Sequence, residues 1–124
     1  MSRDITHLVR LYLSPGQTVS TVGWHPSADV YRTRLGWLLK FDLAGVRPSD
    51  IRVTVVGHRI SVTGRRRDWV VEETRPCSSY SMEITYSSFE RSIDLPDDLS
   101  TAHILTEYRD GMLLVQVQTQ EPQS

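Results

Sequence analysis

Residues 51–63 decide the fold, and they read Ile51-Arg52-Val53-Thr54-Val55-Val56-Gly57-His58-Arg59-Ile60-Ser61-Val62-Thr63. β-Branched apolar residues alternate with polar ones on both sides of Gly57. Alternation with a period of two places one face of a strand in a core and the other towards water or a second layer. Gly57 stands where a tight hairpin needs a positive φ angle, which glycine adopts without steric cost. We therefore expect two antiparallel strands joined at Gly57.

Three further runs of the sequence repeat this two-residue period. Short segments rich in glycine, proline and aspartate separate the runs and predict turns. Many short strands without a long helical pattern after residue 24 are typical of a sandwich. We therefore expect an all-β protein, with an immunoglobulin-like antiparallel β-sandwich over residues 24–119. The alternating apolar residues are Trp37, Leu39, Phe41 and Leu43, then Phe89, Ile93 and Leu95, and finally Leu113, Val115 and Val117.

The composition argues against several classes of function. A chain of 124 residues is one domain by its size. Its net charge of −1 argues against nucleic-acid binding, because such proteins carry a basic excess or stripe. The run Arg65-Arg66-Arg67 is the only dense basic cluster. The sequence has no signal-peptide core and no stretch that could span a membrane, and its single Cys77 excludes an internal disulfide. We therefore expect a cytoplasmic protein.

The residues that could carry chemistry do not indicate an enzyme. Cys77 lies beside Pro76 and two serines, with no histidine near it in sequence, which favours an inert surface thiol. The 4 histidines lack the paired spacing that favours zinc. No glycine-rich phosphate loop occurs, so the sequence does not support ATP binding. We expect no catalytic site, no metal and no cofactor.

Both ends of the chain differ from the alternating region. Residues 1–23 form an arm in which Ile5, Leu8, Val9 and Tyr12 share one face at helical spacing. Such a helix can cover the core of its own domain or contact partners, and both alternatives stay open. Residues 120–124 form a short polar tail.

A long polar loop over residues 65–80 interrupts the pattern of short connections. Most connections contain about 2–6 residues. The loop nevertheless holds the apolar, β-prone triplet Trp69-Val70-Val71, which is hard to keep in a solvated loop. We expect this triplet to form a short strand that pairs with a neighbouring subunit.

Five segments between about Trp24 and Val117 resemble, in order, the motifs of the small heat-shock proteins, the family built on the α-crystallin domain. The family motifs are Trp-x-Pro-x-x-Asp, Asp-Leu-Pro-Gly-Val, Asp-Ile-x-Val with Leu-x-Ile-x-Gly-x-Arg, Phe-x-Arg-x-Phe-x-Leu-Pro and Ala-x-Tyr-x-Asn-Gly-x-Leu. Each motif alone is weakly specific, and their shared order and spacing are strongly specific. The matching segments are Trp24-His25-Pro26-Ser27-Ala28-Asp29-Val30-Tyr31, Phe41-Asp42-Leu43-Ala44-Gly45-Val46, Asp50-Ile51-Arg52-Val53 with Arg59-Ile60-Ser61-Val62-Thr63-Gly64-Arg65, Phe89-Glu90-Arg91-Ser92-Ile93-Asp94-Leu95-Pro96, and Ile104-Leu105-Thr106-Glu107-Tyr108-Arg109-Asp110-Gly111-Met112-Leu113.

The resemblance implies an ATP-independent holdase, a chaperone that binds partly unfolded client proteins and prevents their aggregation. It also implies a homodimer, in which the loop adds a strand beside residues 29–33 of the second subunit. By strand parity Arg91 points the same way as Ile93, and the matching arginine of the family lies at a subunit contact. The implied contact residues are Arg91, Trp69, Val70, Val71, Asp29 and Tyr31.

The resemblance further implies an apolar groove at the sandwich edge that receives tails or client segments. An exposed strand edge is a template for adding another chain. The residues expected to flank this groove or to contact clients are Ile51, Val53, Val55, Ile104, Leu105 and, on the arm, Leu8 and Val9.

The sequence departs from the family pattern at several positions. Ala44 replaces a proline, Arg32 replaces a frequent acidic residue and Ser87 replaces a frequent glycine. The last residues, 119–124, contain no Ile-x-Ile/Val motif of the kind that family tails often carry. We therefore expect dimers or small oligomers rather than a large cage.

Two other functions remain open on the same fold. A co-chaperone of the CS-domain type is the first, although CS domains generally lack a long loop like that at residues 65–80. A specialised protein-interaction scaffold that has lost general client binding is the second.

Overall fold

The alternating runs form seven strands within residues 23–70 and 77–119, the part of the chain that a computed structural model describes. A short 3-10 turn, Pro48–Asp50, leads into the third strand. The strands are β1 (Ala28–Arg32), β2 (Gly36–Asp42), β3 (Ile51–Val56), β4 (Arg59–Arg65), β5 (Ser88–Asp94), β6 (His103–Arg109) and β7 (Met112–Gln118).

The strands make two antiparallel sheets that pack face to face. One sheet has the order β1-β2-β7-β6 and the other has the order β3-β4-β5. The inward positions of the two sheets form one apolar core, as the two-residue period predicts. The all-β sandwich is therefore confirmed. The buried core residues are Leu39, Phe41, Leu43, Val46, Ile60, Val62, Phe89, Leu95, Leu99, Leu113, Val115 and Val117.

Two-residue hairpins fix the register of β3 with β4 and of β6 with β7. Gly57 has a φ angle of 61°, and Val56 lies opposite Arg59. At the second hairpin Asp110 has a φ angle of 54° and Gly111 one of 77°, which is the left-handed pair that a type I′ turn requires. A slip of one residue would move every core side chain of a strand to the opposite face, so these turns determine which side chains are buried.

The connection between β4 and β5 is longer than the sequence suggests. It runs over residues 66–87, which we name the excursion, whereas the sequence predicts a loop over residues 65–80. Trp69 and Val70 have helical backbone, so the expected strand is not formed at these two residues. A lone strand leaves its backbone groups without partners, which disfavours it in a single chain. Val71, the arm face at residues 5–12 and the tail at residues 120–124 lie outside the described residues.

Candidate binding groove

The two sheets end on the same side of the sandwich in strands β3 and β6, each of which has one neighbour only in the described part of the chain. A groove of about 470 Å³ lies between these two edges. Most of its apolar side chains come from inward positions near the rim of the core and are only partly covered, whereas Leu113 is buried. The residues that line it are Pro48, Ile51, Val53, Val55, Ile104, Thr106, Glu107, Tyr108 and Leu113.

The hairpin registers also determine which backbone groups face the groove. The two residues that flank a two-residue turn form backbone hydrogen bonds with each other. Hydrogen-bonded and non-hydrogen-bonded pairs then alternate along the two strands. Because Val56 lies opposite Arg59, the N–H and C=O groups of residues 51, 53 and 55 point to the free edge of β3. The N–H of Ile51 accordingly donates outside the sheet, to the carbonyl of Pro48.

The same reasoning applies to β6. Arg109 lies opposite Met112 across the second hairpin, so the backbone groups of Ile104, Thr106 and Tyr108 point to the free edge. The residues whose side chains line the groove therefore also offer the backbone donors and acceptors that an added strand requires.

Tyr108 supports one wall of the groove through the turn after β2. Its hydroxyl lies 2.8 Å from the carbonyl oxygen of Leu43 and 2.7 Å from that of Val46, and it donates to this pair of acceptors. Burial raises the pKa of the Tyr108 phenol, the backbone contact with Val46 opposes the rise, and the charge of Asp42 adds to it. The neutral phenol therefore fixes the turn that precedes Pro48 at the rim of the groove.

Most of the residues predicted to flank the groove do line it. Ile51, Val53, Val55 and Ile104 are among its walls. Leu105 is not, because it lies one position along β6 from Ile104 and faces the opposite side of the sheet, where it is 43% exposed. Leu8 and Val9 lie outside the described residues.

The sequence reasoning missed several lining residues, above all Thr106 and Tyr108. Strand parity could have found both, because they share their phase with Ile104. They were missed because a threonine and a tyrosine do not stand out as apolar groove residues.

The described residues predicted to contact a second subunit lie in three places: on β1, in the excursion and, for Arg91, on β5. Asp29 and Tyr31 are exposed on β1, the other end of the four-stranded sheet, where the Asp29 carboxylate lies 3.6 Å from the Lys40 ammonium. Trp69 and Val70 are exposed near the start of the excursion, at 42% and 49%.

Two further large apolar side chains of the excursion, Tyr80 and Ile84, are also exposed. Half of the eight exposed large apolar residues of the described chain therefore belong to the excursion.

Arg91 projects inward from β5, as its parity predicts, and is half-buried. Its Nη1 atom donates to the carbonyl oxygen of Pro26 over 3.2 Å. The guanidinium thus ties β5 to the segment that leads into β1. Its hydrogen-bond partner is a backbone carbonyl rather than a carboxylate.

Within residues 23–70 and 77–119, no three histidine, cysteine or acidic side chains come together as metal ligands. Cys77 is exposed. No helix in the same residues is long and apolar enough to cross a membrane.

Known proteins share both the sequence pattern and the fold. Residues 29–124 match the family described as Hsp20/alpha crystallin family. The chain is 33% identical over 88 residues to Spore protein SP21 of Stigmatella aurantiaca, covering 71% of this chain and 51% of that protein. It is 28% identical over 97 residues to Small heat shock protein C2 of Rickettsia felis, covering 77% and 61%. The chain thus spans about half to three fifths of the length of these curated relatives.

Among solved structures, hspA from Xanthomonas axonopodis superposes with a TM-score of 0.62 at 29% identity. The match covers 78% of this chain and 95% of that one.

Proposed function

The chain belongs to the Hsp20/alpha crystallin family, and we propose that it is an ATP-independent holdase that binds partly unfolded proteins and prevents their aggregation. The groove between β3 and β6 carries this proposal. Partly unfolded proteins expose apolar segments and unpaired strands, which drive their association. A groove with apolar walls and free backbone groups along Val53 and Thr106 can cover both at once.

The walls of the groove also account for broad selectivity. Aliphatic side chains such as Val53, Val55 and Ile104 recognise apolar bulk rather than one functional group. Backbone hydrogen bonds are available to any extended peptide, whatever its sequence. We expect clients to be held weakly and without a consensus sequence.

Suppression of aggregation tests the proposal directly. A thermolabile enzyme of unrelated fold is heated with and without a several-fold excess of the full chain, and light scattering is followed. We expect scattering to fall in proportion to the added chain, and ATP with Mg²⁺ to leave the result unchanged. An equal amount of serum albumin controls for crowding. Scattering that rises equally in the presence of the chain and of albumin would refute the holdase proposal.

We further propose that two subunits pair through the excursion and β1. Two surfaces support this pairing because each could cover the other. The excursion presents exposed apolar side chains such as Trp69 and Tyr80. The strand β1 presents an unpaired sheet edge with Tyr31 exposed beside it. A strand contributed by one subunit to the β1 edge of the other would cover both surfaces.

A further inference from the structure

The two ends of the excursion, at residue 66 and at residues 85–87, form what we name its root. This root is built around the side chain of Arg66, which the sheet directs inward. Along β4, Ile60 and Val62 are buried, and the same parity continues through Gly64 to Arg66. A strand that continues its alternation with an arginine must find polar partners for it, since an unpaired buried cation is costly. The partners of Arg66 come from three other segments of the chain.

The guanidinium of Arg66 makes both ring and hydrogen-bond contacts. Its central carbon lies 3.7 Å from the centre of the Trp24 ring and 6.0 Å from that of Tyr86. Its Nε donates to the carbonyl oxygen of Thr85 over 2.9 Å, and its Nη1 donates to that of Ala44 over 3.3 Å. One planar group thus joins the segment before β1, the turn after β2 and the returning end of the excursion.

Backbone contacts close the same junction. The N–H of Arg66 donates to the carbonyl of Ser87 over 2.9 Å, so residues 66 and 87 hold the two ends of the excursion together. The N–H of Gly23 donates to the carbonyl of Ser88 over 3.2 Å. The Trp24 ring packs edge-on against the buried Phe89, with ring centres 5.3 Å apart. The junction is therefore continuous with the core.

We infer that Arg66 is a positioning residue that fixes the root of the excursion and thereby sets the direction in which Trp69, Val70, Tyr80 and Ile84 leave the sandwich. Charge alone does not suffice for this role: the hydrogen-bond acceptors are neutral carbonyls, and the contact with the Trp24 ring uses the flat shape of the guanidinium as well as its charge. A lysine carries the same charge but lacks the flat, forked donor set that reaches two carbonyls while stacking on indole. The consequence for self-association rests on the proposed pairing through the excursion.

The matched test compares Arg66→Lys with Arg59→Lys. Arg59 makes a forked contact with Asp94, at 2.8 and 3.2 Å, on the exposed outer face of β4, the strand that leads into Arg66. Hydrogen–deuterium exchange of the full chain measures how well the backbone amides at the root of the excursion are protected. Sedimentation equilibrium measures self-association. For Arg66→Lys we expect exchange at residues 82–88 to become at least about tenfold faster, with the β6–β7 hairpin unchanged. We also expect the dissociation constant of the dimer to rise at least about tenfold.

The outcomes separate the positioning role from the pairing proposal. Faster exchange with unchanged self-association would retain the positioning role and overturn pairing through the excursion. An Arg66→Lys chain that matches Arg59→Lys in both measurements would overturn the positioning role itself. If Arg66→Lys unfolds in part, the exchange of the β6–β7 hairpin reveals it. Arg66→Gln, which keeps a planar amide without the charge, then provides the comparison. The exchange rate of this variant at residues 82–88 must lie between the rates of the lysine variant and of the natural chain. Any other order contradicts the inference.

Discussion

The hydroxyl of Tyr108 lies 2.7 Å from the carbonyl oxygen of Val46, and this contact couples the groove strand β6 to the turn that follows β2. The acceptors at Leu43 and Val46 belong to a turn whose apolar side chains are buried in the core. This same turn leads to Pro48, which lies at the rim of the groove. A single phenol therefore links core packing to the shape of the candidate binding surface.

Tyr108→Phe removes this link while keeping the ring. We expect the free energy of unfolding to fall by about 0.5–1.5 kcal/mol, because the carbonyl of Val46 loses the hydroxyl donor and that of Leu43 keeps only the N–H of Val46. Urea unfolding measures the change. Tyr31→Phe is the matched control, since the exposed Tyr31 hydroxyl bonds only to surface side chains: it donates to Asp29 over 3.5 Å and accepts from Lys40 over 3.3 Å. Equal loss in the two variants would show that the Tyr108 contact contributes nothing specific.

The raised pKa of Tyr108 predicts a dependence on alkaline pH. Burial raises the pKa of this phenol above 10.0, so the folded state holds the proton more tightly than the unfolded chain does. The stabilising contribution is fully present below the unfolded pKa and is lost as the pH rises through the folded pKa. The stability difference between the natural chain and Tyr108→Phe should therefore be constant below about pH 10, the ordinary phenol pKa, and shrink as the pH rises above it. A difference that stays constant above that pKa would contradict the assignment.

The sequence predicts the strands well because one face of each strand is buried. Residues such as Ile60, Val62, Val115 and Val117 repeat every second position and all lie in the core. The strand β1 is a weaker case, since four of its five residues are exposed and their pattern carries no burial signal. Its assignment depended on the resemblance to a family motif.

The arrangement of the two sheets could not be read from the sequence. Periodicity reports which face of β6 is inward, but it does not say that β6 lies beside β3 across a groove. The sequence predicts Leu105 at the groove, whereas the register of β6 places its side chain on the opposite face. In the sequence, residues 65–67 form one basic run, yet Arg66 stacks on Trp24 whereas Arg67 pairs with Asp50 at 3.2 Å.

A charge placed in the groove should abolish most client binding. Thr106 is exposed between the groove walls, so Thr106→Glu adds a second carboxylate beside that of Glu107 without removing a core contact. Burying this charge against an apolar client is unfavourable. We expect the amount of protein that halves light scattering to rise at least about fivefold, equivalent to about 1 kcal/mol. Thr54→Glu adds the same charge on the exposed outer face of β3 and serves as the control.

The opposite change strengthens the test of the groove. Thr106→Val makes the groove more apolar at the same position, and we expect less protein to be needed for the same protection. The three variants should therefore rank with valine best, the Thr54 control unchanged and the Thr106 glutamate worst. If both glutamate variants protect the client equally, clients bind elsewhere on the chain.

Removing the excursion should yield a folded monomer. Arg66 and Ser87 already form a backbone hydrogen bond across the β4–β5 pair, so a two-residue Asn-Gly turn can replace residues 67–86 between them. The core strands remain intact in this variant, whereas the exposed apolar residues Trp69, Tyr80 and Ile84 are lost. Sedimentation velocity compares its mass with that of the natural chain, and circular dichroism checks its strand content. A shortened chain that remains dimeric would exclude pairing through the excursion.

Replacing Arg91 with glycine should weaken self-association more than it lowers stability. The guanidinium holds the carbonyl of Pro26, two residues before β1, and its loss frees the segment that sets the position of the β1 edge. Glycine also widens the conformational freedom of the unfolded chain, at a cost of about 0.4–1 kcal/mol. Arg91→Ala removes the side chain without most of that freedom, so the two variants separate the contributions. Equal weakening of self-association in both, measured by sedimentation equilibrium, assigns the effect to the lost contact with Pro26. Weakening in the glycine variant alone assigns it to the backbone, and unchanged association with an unchanged thermal midpoint makes Arg91 an ordinary surface residue.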